Sequence, residues 1–288
     1  MIKKGDGVLK NLGYYNGNYG EIEEMSIPMN DRVCYFGDGV YDATYSRNYK
    51  IFALDEHIDR IYNSASLLNI NITETKDEMK AILQEMVDKM DSGENFVYWQ
   101  VTRGTAKRNH AFPENEKTNL WITISPKDIV DTYKKIKLIT MEDTRFFHCN
   151  IKTLNLIPSV MASEKAKQAG CDEAVFHRGE RVTECAHSNV HIIKDGAFVT
   201  APTDNLILPG IARAHIIKAC RELGIPVDET PFTLDELMDA DEVIVSSSST
   251  LCIQATEINN KPVGGKDPVN MDKIRNAVYK EFNDFMGL

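Results

Sequence analysis

The sequence has little of several features that mark particular classes of protein. Acidic residues outnumber basic ones by 43 to 33, and the resulting net charge of −10 argues against nucleic acid or an anionic membrane surface as a partner. No apolar run approaches the ~20 residues that span a bilayer, and the opening Met1–Gly7 stretch has no apolar core of signal-peptide length. We therefore expect a cytoplasmic protein without a membrane or nucleic-acid partner.

Cysteine is present but not in pairs. The six cysteines are scattered along the chain and form no Cys-x-x-Cys motif, so neither a zinc site nor a disulfide framework is indicated. We expect reduced cysteines, most of them buried as small hydrophobic side chains, and no metal site. Repeats and low-complexity tracts are also absent, and 288 residues with 42% hydrophobic content suffice for one or two globular domains.

Strand and helix patterns are mixed irregularly, which predicts two α/β or α+β domains and not a Rossmann or TIM fold. The spacing of Ile58, Ile61 and Ala65 predicts a helix that we expect Asp55 to cap. A polar stretch at 126–134 is the expected linker between a small domain at 1–125 and a larger one at 135–288. Further helices are predicted near 76–90, 158–169, 211–223 and 271–286, and strands near 41–46, 50–54, 96–102, 119–125, 136–141, 173–177, 181–184, 188–193, 197–200, 242–246 and 251–255.

One lysine, Lys152, lies in a mostly apolar and β-branched stretch that precedes a predicted helix. Most such lysines cover apolar surface with their methylene groups while the ammonium reaches water. The alternative is a buried amine whose lowered pKa lets it attack a carbonyl and form a Schiff base, as lysines do with pyridoxal phosphate. That alternative requires an acid for the pyridine nitrogen, a cradle for the phosphate and a cation for the substrate carboxylate.

Candidates for the acid and the cradle are present. Glu184 ends a predicted strand before the compact Cys185-Ala186 pair, so its carboxylate faces either a packed interior or water. The segment Leu208–Arg213 places a Pro-Gly turn directly before a helix, whose free N–H groups and dipole favour a phosphate. Ser247 and Ser248 offer hydroxyl donors at the end of a predicted strand, although a serine run there is more often a turn.

The candidate cation is Arg108, with His110 beside it. Side chains two residues apart point the same way in an extended chain, so the two can bind one carboxylate together. A polar loop tip is the alternative.

Taken in order, the motifs of this chain resemble those of the fold-type IV pyridoxal-phosphate enzymes, the class IV aminotransferases, and most of all their bacterial D-amino acid transaminases. The resemblance covers the chain from Met29 to about Thr256. Its motifs are Phe36-Gly-Asp-Gly-Val-Tyr41, Glu56-His-x-x-Arg60, Val101-Thr-Arg-Gly104, Arg108-Asn-His110, Ile151-Lys-Thr-Leu-Asn155, Val182-Thr-Glu184, Ser188-Asn189 and Pro209-Gly-Ile211.

The resemblance implies a role for each candidate residue. Lys152 would carry pyridoxal 5'-phosphate and move the Cα proton of the substrate, while Glu184 would pair with the pyridine nitrogen. The remaining contacts would be Leu208 on the cofactor ring; Arg60, the backbone of Ile211 and Ala212, and Ser247 with Ser248 on the phosphate; and Tyr41, Arg108 and His110 on the substrate α-carboxylate. The arginine and the histidine would come from the neighbouring subunit of a homodimer.

Three positions depart from the family's pattern. Ala212 stands where threonine is frequent, so one phosphate hydrogen bond, worth ~1 kcal/mol net, is missing. Asp42 replaces the usual glutamate after the tyrosine. His187 follows Cys185-Ala186 in place of a run of small residues, and we expect it to narrow the substrate pocket or to add a polar contact there.

The resemblance therefore implies a transaminase that passes the amino group of a D-amino acid, such as D-alanine or D-glutamate, to 2-oxoglutarate or pyruvate. Branched-chain L-amino acid transaminase and aminodeoxychorismate lyase share the scaffold, and Arg108 with His110 favours the D-specific activity over both. A small-molecule-binding protein without this chemistry is the alternative from another class. Borohydride reduction that labels Lys152 would exclude it.

Overall fold

The structure, a computed structural model, describes residues 11–114, 117–128 and 131–288. These residues form two compact units. The first takes in residues 11–128 together with 151–155, and the second takes in residues 131–150 and 156–286. The opening stretch, on which the prediction about a signal peptide rests, and part of the predicted 126–134 linker lie outside the described residues.

The first unit is built on a six-stranded antiparallel sheet with the strand order β2-β1-β6-β5-β3-β4. Two helices, α2 and α3, bury their apolar faces in the same core as strands β5 and β6. The elements are β1 (Leu12–Tyr15), β2 (Asn18–Gly20), a 3-10 turn (Ile22–Glu24), α1 (Arg32–Phe36), β3 (Gly39–Arg47), β4 (Lys50–Ile51), α2 (Leu54–Leu67), α3 (Lys76–Asp88), β5 (Asn95–Thr102) and β6 (Asn119–Pro126).

Helix α2 follows the predicted apolar spacing, because Ile58, Ile61 and Ala65 are all buried. The prediction that Asp55 caps it is wrong. Ala53 holds the N-cap position with φ 50° and makes no side-chain cap hydrogen bond, since the chain turns directly from the β3–β4 hairpin into the helix. Asp55 lies in the first turn, where its charge still favours the helix dipole.

The second unit is built on a mixed sheet with the order β12-β11-β10-β13-β14-β7-β8-β9, and β15 also pairs with β14. Its pairs are parallel at β11–β12, β14–β7 and β7–β8 and antiparallel elsewhere. The elements are β7 (Lys135–Glu142), α4 (Ile157–Gln168), β8 (Glu173–Arg178), β9 (Arg181–Cys185), β10 (Asn189–Lys194), β11 (Ala197–Thr200), α5 (Ile211–Glu222), β12 (Val227–Asp228), α6 (Leu234–Met238), β13 (Glu242–Ser246), β14 (Ile253–Ile258), β15 (Lys261–Pro262) and α7 (Pro268–Met286).

Helix α4 has the ends that the sequence predicts. Pro158 lies in its first turn, and Gly170 follows its last residues with φ +70°, a conformation that other residues rarely adopt. One strand start differs from the prediction. Leu251 lies in a turn with φ 51°, and the strand begins at Ile253.

Residues 151–155 return to the first unit, although the sequence places them in the domain at 135–288. The physical reason is a backbone ladder on the edge of β3: Leu154 N donates to Gly39 O at 3.1 Å, and Thr153 forms an antiparallel bridge with Val40. Only glycine fits at position 39, because a Cβ there would lie 2.6 Å from Val101 O and 2.7 Å from Leu154 Cδ1. The candidate lysine is thus mounted on the first sheet.

Three further observations concern the described residues. No helix among them is long and apolar enough to cross a membrane, and no group of three or more His, Cys, Asp or Glu side chains among them is arranged to hold a metal ion. The six cysteines are free thiols, and four of them are buried, as predicted: Cys149, Cys185, Cys220 and Cys252.

Candidate active site

Lys152 is fixed through its backbone on both sides. Its N–H donates to Ser64 Oγ at 3.1 Å, and its carbonyl accepts from Tyr41 N at 2.9 Å. The side chain is half-buried, and its Nζ lies 4.4 Å from the centre of the Tyr41 ring. An ammonium over an aromatic face is attracted by the ring quadrupole, so the amine is held beside the tyrosine.

Tyr41 is held in turn by Tyr98 of β5. The two rings stack with centroids 5.5 Å apart and an interplanar angle of 26°. The Tyr98 hydroxyl donates to Gln100 Oε1 at 2.8 Å, and burial raises the pKa of Tyr98 above its ordinary value. This tyrosine therefore stays a neutral support, and the predicted pair Tyr41 and Lys152 shares one rigid wall of the first unit.

Arg60 lies on α2, and Asp42 of β3 binds it through both carboxylate oxygens. Arg60 Nε donates at 2.9 Å and Nη2 at 2.6 Å. His57, which faces the same side of the helix three residues earlier, contacts Asp42 through Nδ1 at 2.8 Å. Burial opposes the charge on Asp42, but Arg60 and His57 outweigh it and hold the pKa of Asp42 well below its ordinary value. The guanidinium is thus oriented by a charged, fully buried carboxylate.

Arg108 and His110 lie on the loop between β5 and β6, and both are exposed within the described chain. Both pack on Phe36: the Arg108 guanidinium carbon lies 5.3 Å from the ring centre, and the His110 ring centre lies 5.2 Å from it. The structure brings these two predicted residues together on one aromatic ring.

In the second unit, Glu184 is buried at the end of β9, so its carboxylate faces the packed interior and not water. Its Oε1 accepts from Arg145 Nη1 at 2.5 Å. Its Oε2 accepts from Asn189 Nδ2 at 3.1 Å and from Leu208 N at 3.0 Å. The predicted Glu184 and Leu208 are therefore adjacent.

The charge of Glu184 is balanced by a network that the sequence did not predict. Arg145 also forms a bidentate pair with Asp143, at 2.9 Å from both Nε and Nη2, and Arg178 Nε lies 3.1 Å from the same carboxylate. Burial disfavours the charge on Arg145, but its bonds to Asp143 and its attraction to Glu184 raise its pKa overall. This guanidinium stays charged and compensates Glu184.

The N-terminus of α5 carries the predicted backbone donors Ile211 and Ala212. Gly210 occupies the N-cap position and makes no side-chain cap hydrogen bond, so the first N–H groups of the helix keep their donor capacity. A Cβ there would lie 2.0 Å from Asn189 Oδ1, so a larger residue would displace the Asn189 amide. Asn189 links this helix start to the acid, because its Nδ2 also bonds to the carboxylate of Glu184.

The predicted serines follow β13. Ser247 Oγ lies 2.8 Å from Ser249 Oγ and 2.9 Å from Thr250 Oγ1, and it also accepts from two backbone N–H groups of the turn. Ser248 is half-buried beside it. The hydroxyl of Ser247 thus stabilises the turn, which was the alternative interpretation.

His187, one of the three positions that depart from the family's pattern, lies largely exposed beside Glu173 and Ser188. Its side chain is 57% exposed, with Nδ1 3.3 Å from Glu173 Oε1 and 3.2 Å from Ser188 Oγ. Glu173 is buried, and desolvation raises its pKa. The imidazole therefore lies at the edge of a buried carboxyl group.

Sequence reasoning missed the side chains that hold the candidate residues in place, chiefly Asp42 as a partner of Arg60, and His57, Arg145 and Asn189. His57 had a signal, because it lies three residues before Arg60 on one helix. Arg145 had none, since it precedes Glu184 by 39 residues.

Known proteins resemble this chain closely. The sequence pattern of the family amino-transferase class IV matches residues 39–258. A D-alanine aminotransferase of Listeria monocytogenes serotype 4b (strain F2365) is 40% identical over 261 residues, 88% of this chain and 90% of that protein. A D-alanine aminotransferase of Bacillus licheniformis is 35% identical over 274 residues, 93% of this chain and 97% of that protein.

The likeness extends to solved structures. The branched-chain amino acid aminotransferase from Escherichia coli superposes with a TM-score of 0.86 over 96% of this chain and 95% of that chain, at 21% identity. At that identity the likeness concerns the fold alone, and it confirms the predicted fold class.

Proposed function

The chain belongs to the class IV aminotransferases, and from that premise we propose that it uses pyridoxal 5'-phosphate to pass the amino group of a D-amino acid to a 2-oxo acid. D-Alanine or D-glutamate is the proposed donor, and 2-oxoglutarate or pyruvate the acceptor. The observation that carries the proposal is the 40% identity to a D-alanine aminotransferase over 88% of the chain.

The side chains present fit that cofactor. They offer a primary amine at Lys152, a buried carboxylate at Glu184, a guanidinium at Arg60 and the open helix start at Ile211, which are the groups that an aldehyde, a pyridine nitrogen and a phosphate require. When bound, pyridoxal 5'-phosphate withdraws electrons from the substrate Cα and keeps the amino group between the two half-reactions.

Two residues of the chain act on the chemistry itself. Lys152 supplies the amine that moves the proton at the substrate Cα, and its contact with the Tyr41 ring holds that amine in position. Glu184, compensated by Arg145, would supply a negative charge to the pyridine nitrogen and so favour its protonated form. Both roles depend on groups whose orientation is fixed before any ligand arrives.

The other candidates bind and orient. Arg60 and the helix start near Ile211 favour a phosphate through charge and free N–H groups. Arg108 and His110, with the Tyr41 hydroxyl, would hold the substrate α-carboxylate. We further propose a cytoplasmic homodimer in which these two loop residues serve the partner's site; the free thiols suit a reducing compartment.

Two measurements test the proposed function. Borohydride reduction of the purified yellow protein should remove its colour. It should leave the reduced cofactor covalently attached to the peptide that contains Lys152. Initial rates with D-alanine and L-leucine, each with 2-oxoglutarate, and with D-glutamate and L-glutamate, each with pyruvate, should show turnover with the D-enantiomers only. A colourless protein would remove the cofactor assignment, and equal rates with L-amino acids would remove the D-specific assignment.

A further inference from the structure

The loop that carries Arg108 and His110 is anchored where it leaves β5. Thr105 forms an antiparallel bridge with Asp31, and Ala106 N donates to Asn30 O at 3.1 Å. The Asn119 amide adds a bond of 2.8 Å to Thr105 Oγ1. These contacts fix the base of the loop and leave its tip to other groups.

The tip is bound by a buried arginine of α1. Arg32 is 3% exposed, and its Nη1 donates to Asn109 O at 2.7 Å and to Ala111 O at 3.3 Å. Those carbonyls stand on either side of His110, and the first follows Arg108 directly. One guanidinium therefore fixes the backbone that presents both candidate carboxylate ligands.

Arg32 is itself held by Asp38, which binds a second arginine. Asp38 Oδ2 accepts from Arg32 Nε at 2.7 Å and from Arg103 Nε at 2.9 Å. Arg103 also donates to the carbonyls of Leu68 and Asn69, which tie it to the end of α2.

Arg103 reaches the far side of the loop as well. Its guanidinium carbon lies 3.7 Å from the centre of the Phe112 ring, although that side chain is 57% exposed. Asp38 thus joins two guanidiniums that contact the loop at Asn109, Ala111 and Phe112.

We propose that Arg32 is a positioning residue for substrate carboxylate recognition, acting through the backbone of Asn109 and Ala111 to set Arg108 and His110 in place. The inference rests on the carboxylate role given to those two residues under the proposed function. A polar loop that is ordered in advance loses less entropy when a ligand binds, so the clamp of Arg32, Asp38 and Arg103 raises affinity for the substrate without touching it.

Lysine cannot replace arginine in this clamp. Arg32 uses two separate nitrogens for Asp38 and for the loop carbonyls, whereas a lysine has one nitrogen at the end of a flexible stem. Arg32→Lys should therefore keep the positive charge and release the loop. Arg47→Lys is the matched control, because Arg47 belongs to the same unit and pairs with Glu94 near the surface.

The first test uses the holoenzyme. Arg32→Lys should raise KM for D-alanine and for D-glutamate by similar factors of at least ~10, equivalent to ~1.4 kcal/mol. Turnover and the affinity for pyridoxal 5'-phosphate should stay near wild type, while the amides of residues 107–112 exchange hydrogen faster. A general loss of structure would instead lower cofactor affinity and turnover together, and either that pattern or an unchanged KM overturns the inference.

The second test asks whether Arg32 acts through Arg108. In a double-mutant cycle, Arg32→Lys combined with Arg108→Ala should have nearly the KM of Arg108→Ala alone, because the positioned group is already gone. Multiplying effects would overturn the inference. If Arg108→Ala itself leaves KM unchanged, the proposed carboxylate site fails and the inference fails with it. If Arg32→Lys does not fold, Asp38→Asn, which weakens the hold on both arginines, should give the same KM pattern, and unchanged KM values in it overturn the inference.

Discussion

Arg145 donates to one carboxylate oxygen of Glu184, and the other oxygen of that buried carboxylate accepts from Asn189 and Leu208. The acid is therefore a fixed, charge-compensated acceptor, and not the strand-end glutamate in water that was its alternative. Its proposed work is electronic.

Glu184→Gln should lower turnover far more than cofactor occupancy. A neutral amide no longer favours a protonated pyridine nitrogen, whereas the remaining contacts to the cofactor persist. The measurement is kcat together with bound pyridoxal 5'-phosphate per subunit, with Glu180→Gln in the exposed β8–β9 turn as the control. Intact turnover with only a lower Tm would show that Glu184 is structural.

Lys152→Ala should abolish transamination, since no other group is proposed to move the Cα proton. Turnover should fall by far more than tenfold, or ~1.4 kcal/mol in barrier, while Glu184 and Arg60 still hold some cofactor noncovalently. Single-turnover absorbance with D-alanine measures this loss. Lys165→Ala, an exposed lysine on α4, is the control, and a Lys152→Ala rate within tenfold of wild type contradicts the assignment.

Asp42→Asn should weaken cofactor binding, because the charged partner that orients Arg60 is lost. Breaking a buried pair of this kind costs about 3–5 kcal/mol of stability, and we expect the Kd for pyridoxal 5'-phosphate to rise by at least ~10-fold. Titration of the apoenzyme measures the Kd, and Asp59→Asn in the exposed pair with Lys76 is the control. An unchanged Kd would contradict the proposed role of Arg60 in binding the phosphate of the cofactor.

A mixed dimer tests the assignment of Arg108 and His110 to the partner's site. Heterodimers of a Lys152→Ala subunit and an Arg108→Ala subunit should regain part of the activity, because one of the two sites then has an intact lysine and an intact loop. Heterodimers of Lys152→Ala and Glu184→Gln subunits should stay inactive, since each site keeps one defect. Activity in verified heterodimers measures this, and failure of the first pair means that the carboxylate site is built within one chain.

Stability toward acid should depend on His191. Its Nδ1 lies 2.7 Å from Thr200 Oγ1 and its Nε2 2.8 Å from Ser246 Oγ, and burial together with the nearby Arg213 lowers its pKa to about 3. The unfolded chain binds a proton at this histidine below about pH 6.5, whereas the folded chain does not until about pH 3. The stability that neutral His191 gives the folded state is therefore fully present above the pKa that this histidine has in the unfolded chain. It is lost as the pH falls below that value.

The free energy of unfolding should therefore decrease by up to ~1.4 kcal/mol per pH unit from this group. Urea unfolding of holoenzyme between pH 6.5 and 4.5, roughly the upper part of that interval, measures the slope. His191→Gln should reduce this slope by up to the ~1.4 kcal/mol per pH unit that one proton contributes. His148→Gln, at an exposed histidine, should leave the slope unchanged. Equal slopes in wild type and His191→Gln would contradict the assignment.

Local patterns predicted the elements well where one face is buried. Ile58, Ile61 and Ala65 indicated α2, because apolar residues at this spacing lie on one face of a helix and that face is buried. Pro158 and Gly170 indicated the two ends of α4. The N-cap at Ala53 was missed because a tight hairpin sets the helix start there, and tertiary geometry overrides side-chain preference.

The candidate reactive groups could be proposed from the sequence, whereas the side chains that hold them in place could not. Lys152 and Glu184 stand in short motifs, which can be read from a few adjacent residues. Arg145 bonds to Glu184, and Arg32 bonds to the backbone of Asn109. Each bond joins positions that are far apart in sequence, so no local sequence pattern predicts it.

The return of residues 151–155 to the first sheet has a consequence for synthesis on the ribosome. A nascent chain that ends at residue 128 already contains strands β1 to β6, but the segment that pairs with Gly39 and Val40 has not yet been translated. The edge of β3 can be completed only after Asn155 has left the exit tunnel. For the same reason, a chimera that takes its first 128 residues from one relative would have Tyr41 and Tyr98 from that relative and Lys152 from the other.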